Sequence, residues 1–355
     1  MNILGHNFSS LPKELVGLNP RIEKVVNLLL LDSVHDVRVV GICGMGGIGK
    51  TTLATALYGQ ISHQFDARCF IDDLSKIYRH DGQVGAQKQI LHQTLGKEHF
   101  QICNLFDTDD LIRRRLRRLR ALIILDNVDK VEQLDKLALN RECLGVGSRI
   151  IIISRDEHIL NEYGVDEVYK VSLLNETNSL QLFCQKAFKL DHIMSGYDKL
   201  ALDTLSYANG LPLAIKVLGS FLFGRNISEW RSALARLKES PNKDIMDVLR
   251  LSFDGLENLE KEIFLDIACF FERSHGEYLR NILNCCGFHP DIGLRILIDK
   301  SLVSFCDEDY CEMHSLLVEL GRKIVQENST KDLKKWSRLW FPEHFNNVML
   351  ENMVK

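Results

Sequence analysis

Two hydrophobic rhythms divide the chain at about Ser172. Before it, short runs rich in Val and Ile alternate with stretches whose apolar positions recur three and four residues apart, a pattern that predicts strands alternating with helices. The strands fall at Val37–Cys43, Arg68–Ile71, Ala121–Leu125, Ile150–Ser154 and Glu167–Val171. LIIL (Leu122–Leu125) and IIII (Ile150–Ile153) carry no polar alternation, so both faces of these strands must be covered. That predicts an α/β fold with a doubly wound parallel sheet rather than an antiparallel sheet with one wet face.

After Ser172 helical spacing takes over, with starts signalled at Asn175-Glu176, Ser228-Glu229 and Asn258, and a shared face of Leu180, Phe183 and Phe188. One interruption is Leu302–Phe305, followed across the acidic turn Cys306–Asp309 by Tyr310–Met313, which predicts a hairpin set among helices and therefore a winged-helix unit. Beyond about Thr330 the chain turns charged and then aromatic (Lys334, Lys335, Trp336, Trp340, Phe341), with no core of its own. No internal repeat is visible.

Composition narrows the classes. With 355 residues, 45% hydrophobic and 26% charged, the chain is long enough for two or three globular domains and too apolar for disorder. A net charge of −4 supplies no overall field for nucleic acid or an anionic membrane. The ten cysteines include no paired CxxC array, and with no signal peptide after Met1 they read as reduced core thiols of an intracellular protein. No apolar run approaches the roughly 18 residues of a membrane span, so a soluble protein is expected.

The chemistry begins directly after the first strand. GMGGIGKTT places Gly44, Gly46, Gly47, Ile48, Gly49, Lys50, Thr51 and Thr52 between a strand and a stretch of helical spacing, and satisfies GxxxxGKT. Glycines let the backbone curl with its N–H groups inward, and the opening helix adds its positive end, so the loop suits the α- and β-phosphates of a nucleotide. Lys50 is expected to reach the β- and γ-phosphates, and the Thr51 hydroxyl to ligate Mg²⁺. The strand Leu122–Leu125 delivers Asp126 to its carboxyl end, where ligands sit in open α/β sheets; Asp126 reads as the acid that holds Mg²⁺ through water. The alternative for Asp126 is a cap on the following helix. The fold expected is thus a P-loop NTPase sheet followed by a helical subdomain and a winged-helix subdomain.

Taken in order, VGLNPRIEKV (Val16–Val25), GMGGIGKTT, LIILDNVD (Leu122–Asp129), GSRIIIISRD (Gly147–Asp156), GLPLA (Gly210–Ala214), FLDIACFF (Phe264–Phe271), MHS (Met313–Ser315) and SRLWF (Ser337–Phe341) resemble the NB-ARC module of plant disease-resistance proteins, among the signal-transducing ATPases related to AAA+ proteins. FLDIACFF and Asp129 resemble the subclass carrying a Toll/interleukin-receptor (TIR) domain. The resemblance implies a linker over 1–25, a nucleotide-binding domain over 26–172, a helical subdomain over 173–240, a winged-helix subdomain over 241–330 and a linker toward leucine-rich repeats over 331–355. It implies that Val16 and Gly17 contact adenine, that Pro212 packs on the base, that Arg155 senses the γ-phosphate, and that His314 bonds the ADP β-phosphate. Each has a plainer alternative: Pro212 as a first-turn helix proline, Arg155 as an ordinary surface arginine, His314 as the start of a helix. The implied function is an ADP-off, ATP-on switch in defence signalling, in the cytoplasm or nucleus, that self-associates when active and works beside TIR and leucine-rich-repeat regions. Rival readings are an active AAA+-like ATPase and a winged-helix transcription regulator.

Three departures qualify the resemblance. Asn127 stands where the family has a second acid that polarises the attacking water; an amide cannot act as a base, so ATP hydrolysis is expected to be slow or negligible. Ser315 stands where the family has the Asp of MHD, an acid that helps hold the closed, ADP-bound arrangement; the serine is expected to bias the switch but not to abolish it alone. The opening NILGHNFSSLPKEL resembles the linker that follows a TIR domain, so the chain is expected to be a fragment or a truncated adaptor without TIR catalysis.

Two signals are discounted. In RRRLRRLR (Arg113–Arg120), Ile112, Leu116 and Leu119 keep helical spacing, so the run reads as an amphipathic helix with its arginines in solvent. The segment Asp291–Lys300 of the winged helix carries only Arg295 and Lys300 as cations, too few to argue for nucleic acid.

Overall fold

The computed structural model describes residues 16–33, 35–95, 105–137, 139–239, 242–327, 337–340 and 349. Lys334, Lys335, Trp336 and Phe341 lie outside the described residues. The chain divides into two compact units: the described residues up to Gly44 with Ile48–Ser172, and Met45–Gly47 with those from Leu173 onward.

The first unit is a parallel sheet of β1 (Arg38–Cys43), β2 (Ala67–Ile71), β3 (Ala121–Val128), β4 (Arg149–Ser154) and β5 (Glu167–Lys170), ordered β2-β3-β4-β1-β5. Its helices are α1 (Asn19–Leu29), α2 (Lys50–Ile61), α3 (Leu74–Leu95), α4 (Leu105–Leu116), α5 (Val131–Asp135) and α6 (Glu157–Tyr163). The unbroken runs in β3 and β4 are buried throughout, as covered faces require: Ile123, Leu125, Ile150 and Ile152 join one core with Ile90, Ile112 and Leu116 from α3 and α4. On α4, Ile112 and Leu116 point inward while Arg113, Arg114 and Arg115 are exposed, which is the amphipathic arrangement the spacing predicts. Arg149 is fully buried and gives Nε to the Leu29 carbonyl, Nη1 to those of Asp36 and Ser148, and Nη2 to those of Leu30 and Ser33. It thereby satisfies the end of α1 and the turn that follows.

The second unit is helical: α7 (Glu176–Ala187), α8 (Asp198–Ala208), α9 (Pro212–Leu222), α10 (Ile227–Glu239), α11 (Lys243–Asp254), α12 (Asn258–Asp266), α13 (Gly276–Cys285), α14 (Pro290–Asp299) and α15 (Ser315–Glu327). Asn175 caps α7 through the Asn178 N–H. α10 starts before Ser228 because Asn226 and Glu229 form a reciprocal cap, each backbone N–H donating to the other's side chain. Trp230 is the centre of this core, with the rings of Phe188 and Tyr197 at 5.4 and 4.9 Å and Phe183 at 5.9 Å. Phe188 sits one residue past α7 and reaches that core from the helix cap.

The predicted hairpin forms in shortened form, as β6 (Ser304–Phe305) paired antiparallel with β7 (Cys311–Glu312). In FLDIACFF, Phe264, Ile267 and Ala268 are fully buried, but Phe270 is exposed and Phe271 only half-buried. The cause is a widening to π-helix over Ile267–Phe271, which moves later side chains off the α-helical period. Asp266 and Glu262 together hold the buried Arg338 of SRLWF, at 2.6 Å from Nε and 2.7 Å from Nη2 respectively.

Candidate nucleotide-binding site

Strand order assembles the first-unit residues. β4 lies between β1 and β3, so the loop after β1, Arg155 after β4 and Asp126 in β3 all occupy the carboxyl ends of adjacent parallel strands. The loop turns through Gly44, Gly47 and Gly49, whose φ values of 150°, 80° and 97° are left-handed. At Gly49 no heavy atom lies within 4 Å of an added Cβ, so it is the backbone angle that demands glycine there. At Gly44 a Cβ would also crowd Ile48 at 3.2 Å, folding the loop's own isoleucine against its first turn.

Lys50 opens α2, is nearly buried, and donates Nζ to the Gly44 carbonyl at 2.5 Å. Burial first, and the neighbouring Arg155 charge second, push its ammonium down to about 8, with Cys43 and Asp126 acting in the opposite sense. A desolvated cation at the mouth of this loop is suited to a phosphate dianion. Thr51 donates Oγ1 to Asp126 Oδ2 at 2.7 Å, joining the two residues expected to share a metal. Burial raises the Asp126 carboxyl above its usual range, and the Thr51 hydroxyl and the Asn127 backbone N–H oppose the shift. Arg155 is lowered by burial against the pull of Asp126 and Asp73.

The pairing of β3 with β4 breaks register between Leu125 and Val128, and Asn127 takes φ 55° there. This bulge turns the strand end so that Asp126 meets Thr51, a common device beside functional sites. Asn is among the few side chains that tolerate that φ. Its Nδ2 donates to Asp73 Oδ1 at 2.7 Å, and Asp73, itself at φ 55°, also accepts the Lys76 N–H at the start of α3. Asp72 and Asp73 were not among the residues sequence reasoning selected. The signal was available, since FIDD ends a buried strand on the ligand side of the sheet.

These residues fit the group the motif implies. Among the described residues no cluster of three His, Cys, Asp or Glu could hold a metal on protein ligands alone. Thr51 and Asp126 form a partial shell of hard oxygens, which suits Mg²⁺, an ion that keeps waters and completes its octahedron with phosphate oxygens.

Val16 is half-buried and Gly17 turns at φ 68° ahead of α1, in the first unit. Pro212 and His314 belong to the second. Pro212 occupies the first turn of α9, after the left-handed pair Asn209 (φ 43°) and Gly210 (φ 73°). His314 Nε2 lies 3.0 Å from the Asn209 carbonyl, and its Nδ1 accepts the Leu316 N–H at 3.2 Å. An amide can only donate, so these two bonds fix the neutral tautomer with hydrogen on Nε2. Burial accordingly lowers the His314 pKa, opposed by the Asn209 carbonyl. Ser315 Oγ accepts from Asn209 Nδ2 at 3.4 Å. Pro212 thus begins one helix and His314 caps another.

The NB-ARC domain family matches residues 19–192, and the winged-helix domain of Roq1-like disease resistance proteins matches 257–329. Residues 19–192 are an NB-ARC domain. The chain is 39% identical over 347 residues to TMV resistance protein N of Nicotiana glutinosa, covering 96% of this chain and 30% of that protein. Disease resistance protein RUN1 of Vitis rotundifolia is 38% identical over 327 residues, which is 92% of this chain and 24% of that one. The chain thus spans less than a third of these relatives. Among solved structures, a Walker-type ATPase of Pyrococcus abyssi superposes with a TM-score of 0.58 at 12% identity, over 89% of this chain and 99% of its own. The Aeropyrum pernix ORC2 protein does so at 0.53 and 16%, over 91% and 97%. At such identities the likeness is one of fold, and it is the fold of P-loop ATPases. The NB-ARC module is a nucleotide-binding domain of plant disease-resistance proteins. No described helix is long and apolar enough to cross a membrane.

Proposed function

We propose that this NB-ARC chain is the nucleotide-controlled switch of a plant immune receptor, off with ADP and on after exchange for ATP. The observation that carries the reading is the constellation Lys50, Thr51, Asp126 and Arg155 at neighbouring strand ends of one compact unit. Lys50 leaves the Gly44 carbonyl to bind the β- and γ-phosphates, Thr51 and Asp126 hold Mg²⁺ between them, and Arg155 reports the γ-phosphate. The metal, when bound, neutralises phosphate charge. Val16 and Gly17 flank the adenine, Pro212 packs on the base, and His314 bonds the ADP β-phosphate through its Nε2–H. The module acts within a longer receptor bearing TIR and leucine-rich-repeat regions, in the cytoplasm or nucleus, and self-associates once ATP is bound. Hydrolysis is slow, because Asn127 cannot serve as a base and its amide is already engaged by Asp73.

The test is the nucleotide content of the purified chain, released by heat and separated by ion exchange. Near-stoichiometric ADP in the parent chain, and its loss in Lys50→Met, is the expected result. An empty site in the parent chain overturns the reading.

A further inference from the structure

Within the first unit, a second concentration of charge remains that nucleotide binding does not use. The end of α4 and the connector to β3 expose Arg113, Arg114, Arg115, Arg117 and Arg118, five guanidiniums in six positions of a chain whose net charge is −4. They line a groove of about 860 Å³ whose other walls are Leu119, Glu142 and Cys143. Among these described residues, Glu142 is the single carboxylate.

The neighbouring arginines show what an internally satisfied guanidinium looks like here. Arg120 donates to the carbonyls of Gly147 and Leu31, and Arg141 is paired with Asp166 at 2.9 Å. By contrast, the side chains of Arg113, Arg115, Arg117 and Arg118 make no hydrogen bond or ion pair with any described residue. Their crowding is unfavourable: the Arg117 N–H still reaches the Arg113 carbonyl at 3.3 Å, so these two cations share a helical face. A solvated face needs only enough charge for solubility, whereas converging like charges around a concave wall are the signature of an anion site.

The groove is separate from the phosphate loop. Its arginines precede Ala121, the amino end of β3, whereas Asp126 lies toward the carboxyl end; roughly 17 Å of strand separates Ala121 from Asp126. The volume falls in the range of small-molecule pockets. Arginine in place of lysine at all five positions favours forked bonds to phosphate.

We propose that this arginine groove binds a compact ligand bearing several clustered phosphates, either a free polyphosphorylated polyol or the headgroup of a phosphorylated lipid. The full chain, saturated with ADP to block the phosphate loop, is titrated calorimetrically with inositol hexakisphosphate. In parallel it is floated with phosphatidylcholine vesicles with and without phosphatidylinositol 4,5-bisphosphate, and mixed with a short DNA duplex. Saturable one-to-one binding of the soluble probe, weakened about a hundredfold in R115Q/R117Q/R118Q with melting temperature and ADP affinity unchanged, is the expected result. Stronger retention on the phosphoinositide vesicles than by the soluble probe, equally sensitive to the triple substitution, assigns the lipid as the source. The proposal is overturned if neither probe binds, if binding survives the triple substitution, if excess ADP displaces the probe, or if the duplex binds more tightly than both through the same arginines.

Discussion

Asn127 and Asp73 face each other across the ends of two strands, amide to carboxylate at 2.7 Å, each at a left-handed φ of 55°. On sequence alone, Asn127→Asp would restore a missing acid and speed hydrolysis. The geometry predicts otherwise, because the new carboxylate would lie against Asp73 and raise the pair's pKa. A carboxyl raised in the folded state contributes stability below its unfolded pKa of about 4 and loses it as pH rises through the folded value. N127D is therefore expected to be less stable than the parent at pH 8 by about 1 kcal/mol, with a smaller gap at pH 4.5. The swap N127D/D73N should recover most of the loss, read as a double-mutant cycle in urea. Equal melting of N127D and the parent at pH 8 would count against the contact.

Arg149 carries a stronger prediction. Its guanidinium, fully buried, is the partner of five backbone carbonyls at residues 29, 30, 33, 36 and 148. Arg149→Met keeps the aliphatic volume but leaves those acceptors facing a thioether. A loss of about 3 kcal/mol or more in chemical denaturation is expected, together with early protease cleavage after α1. Arg149→Lys should recover only a minor part, since an ammonium cannot span the acceptors a planar fork reaches.

These two cases mark where sequence reading stops. The strands were legible because LIIL and IIII admit no exposed face, and the phosphate loop because strand, glycines, Lys50-Thr51 and helix agree at one place. The amphipathic reading of α4 followed from the helical spacing of Ile112, Leu116 and Leu119, of which Ile112 and Leu116 are fully buried. Arg149 was not singled out, because its role depends on where the carbonyls of Leu29 to Asp36 arrive. Asp73 was hidden for a related reason: β2 and β3 are neighbours only in the folded sheet, and 54 residues of sequence separate it from Asn127. The π-turn over Ile267–Phe271 left no composition signal at all.

Arg338 tests the anchoring of the segment after α15. Its guanidinium, nearly buried, joins Asp266 at 2.6 Å and Glu262 at 2.7 Å, and its bond to Asp266 offsets part of the burial that raises that carboxyl. Removing the cation in Arg338→Met leaves Asp266 without its countercharge. The variant is expected to lose about 2 kcal/mol in urea, less than a fully buried pair would, because Glu262 is half-exposed. R338M/D266N should recover more than half. Recovery of nothing would show that packing, not charge, holds the segment.

His314 supplies a pH dependence whose sign follows from its two bonds. The Leu316 N–H needs an unprotonated Nδ1, and burial holds the ring below its ordinary pKa of about 6.5. The unfolded chain therefore takes up a proton there at higher pH than the folded one does. The stability contributed is complete above about pH 6.5 and is lost as pH falls toward and through the folded value, at up to about 1.4 kcal/mol per pH unit. His314→Asn is a suitable comparison, since asparagine caps a helix without titrating. Melting curves between pH 7.5 and 5.5 should show the parent losing stability more steeply than H314N, the other histidines cancelling in the difference. Parallel slopes would mean that His314 opens toward solvent on protonation, and that the Leu316 N–H does not hold Nδ1 unprotonated.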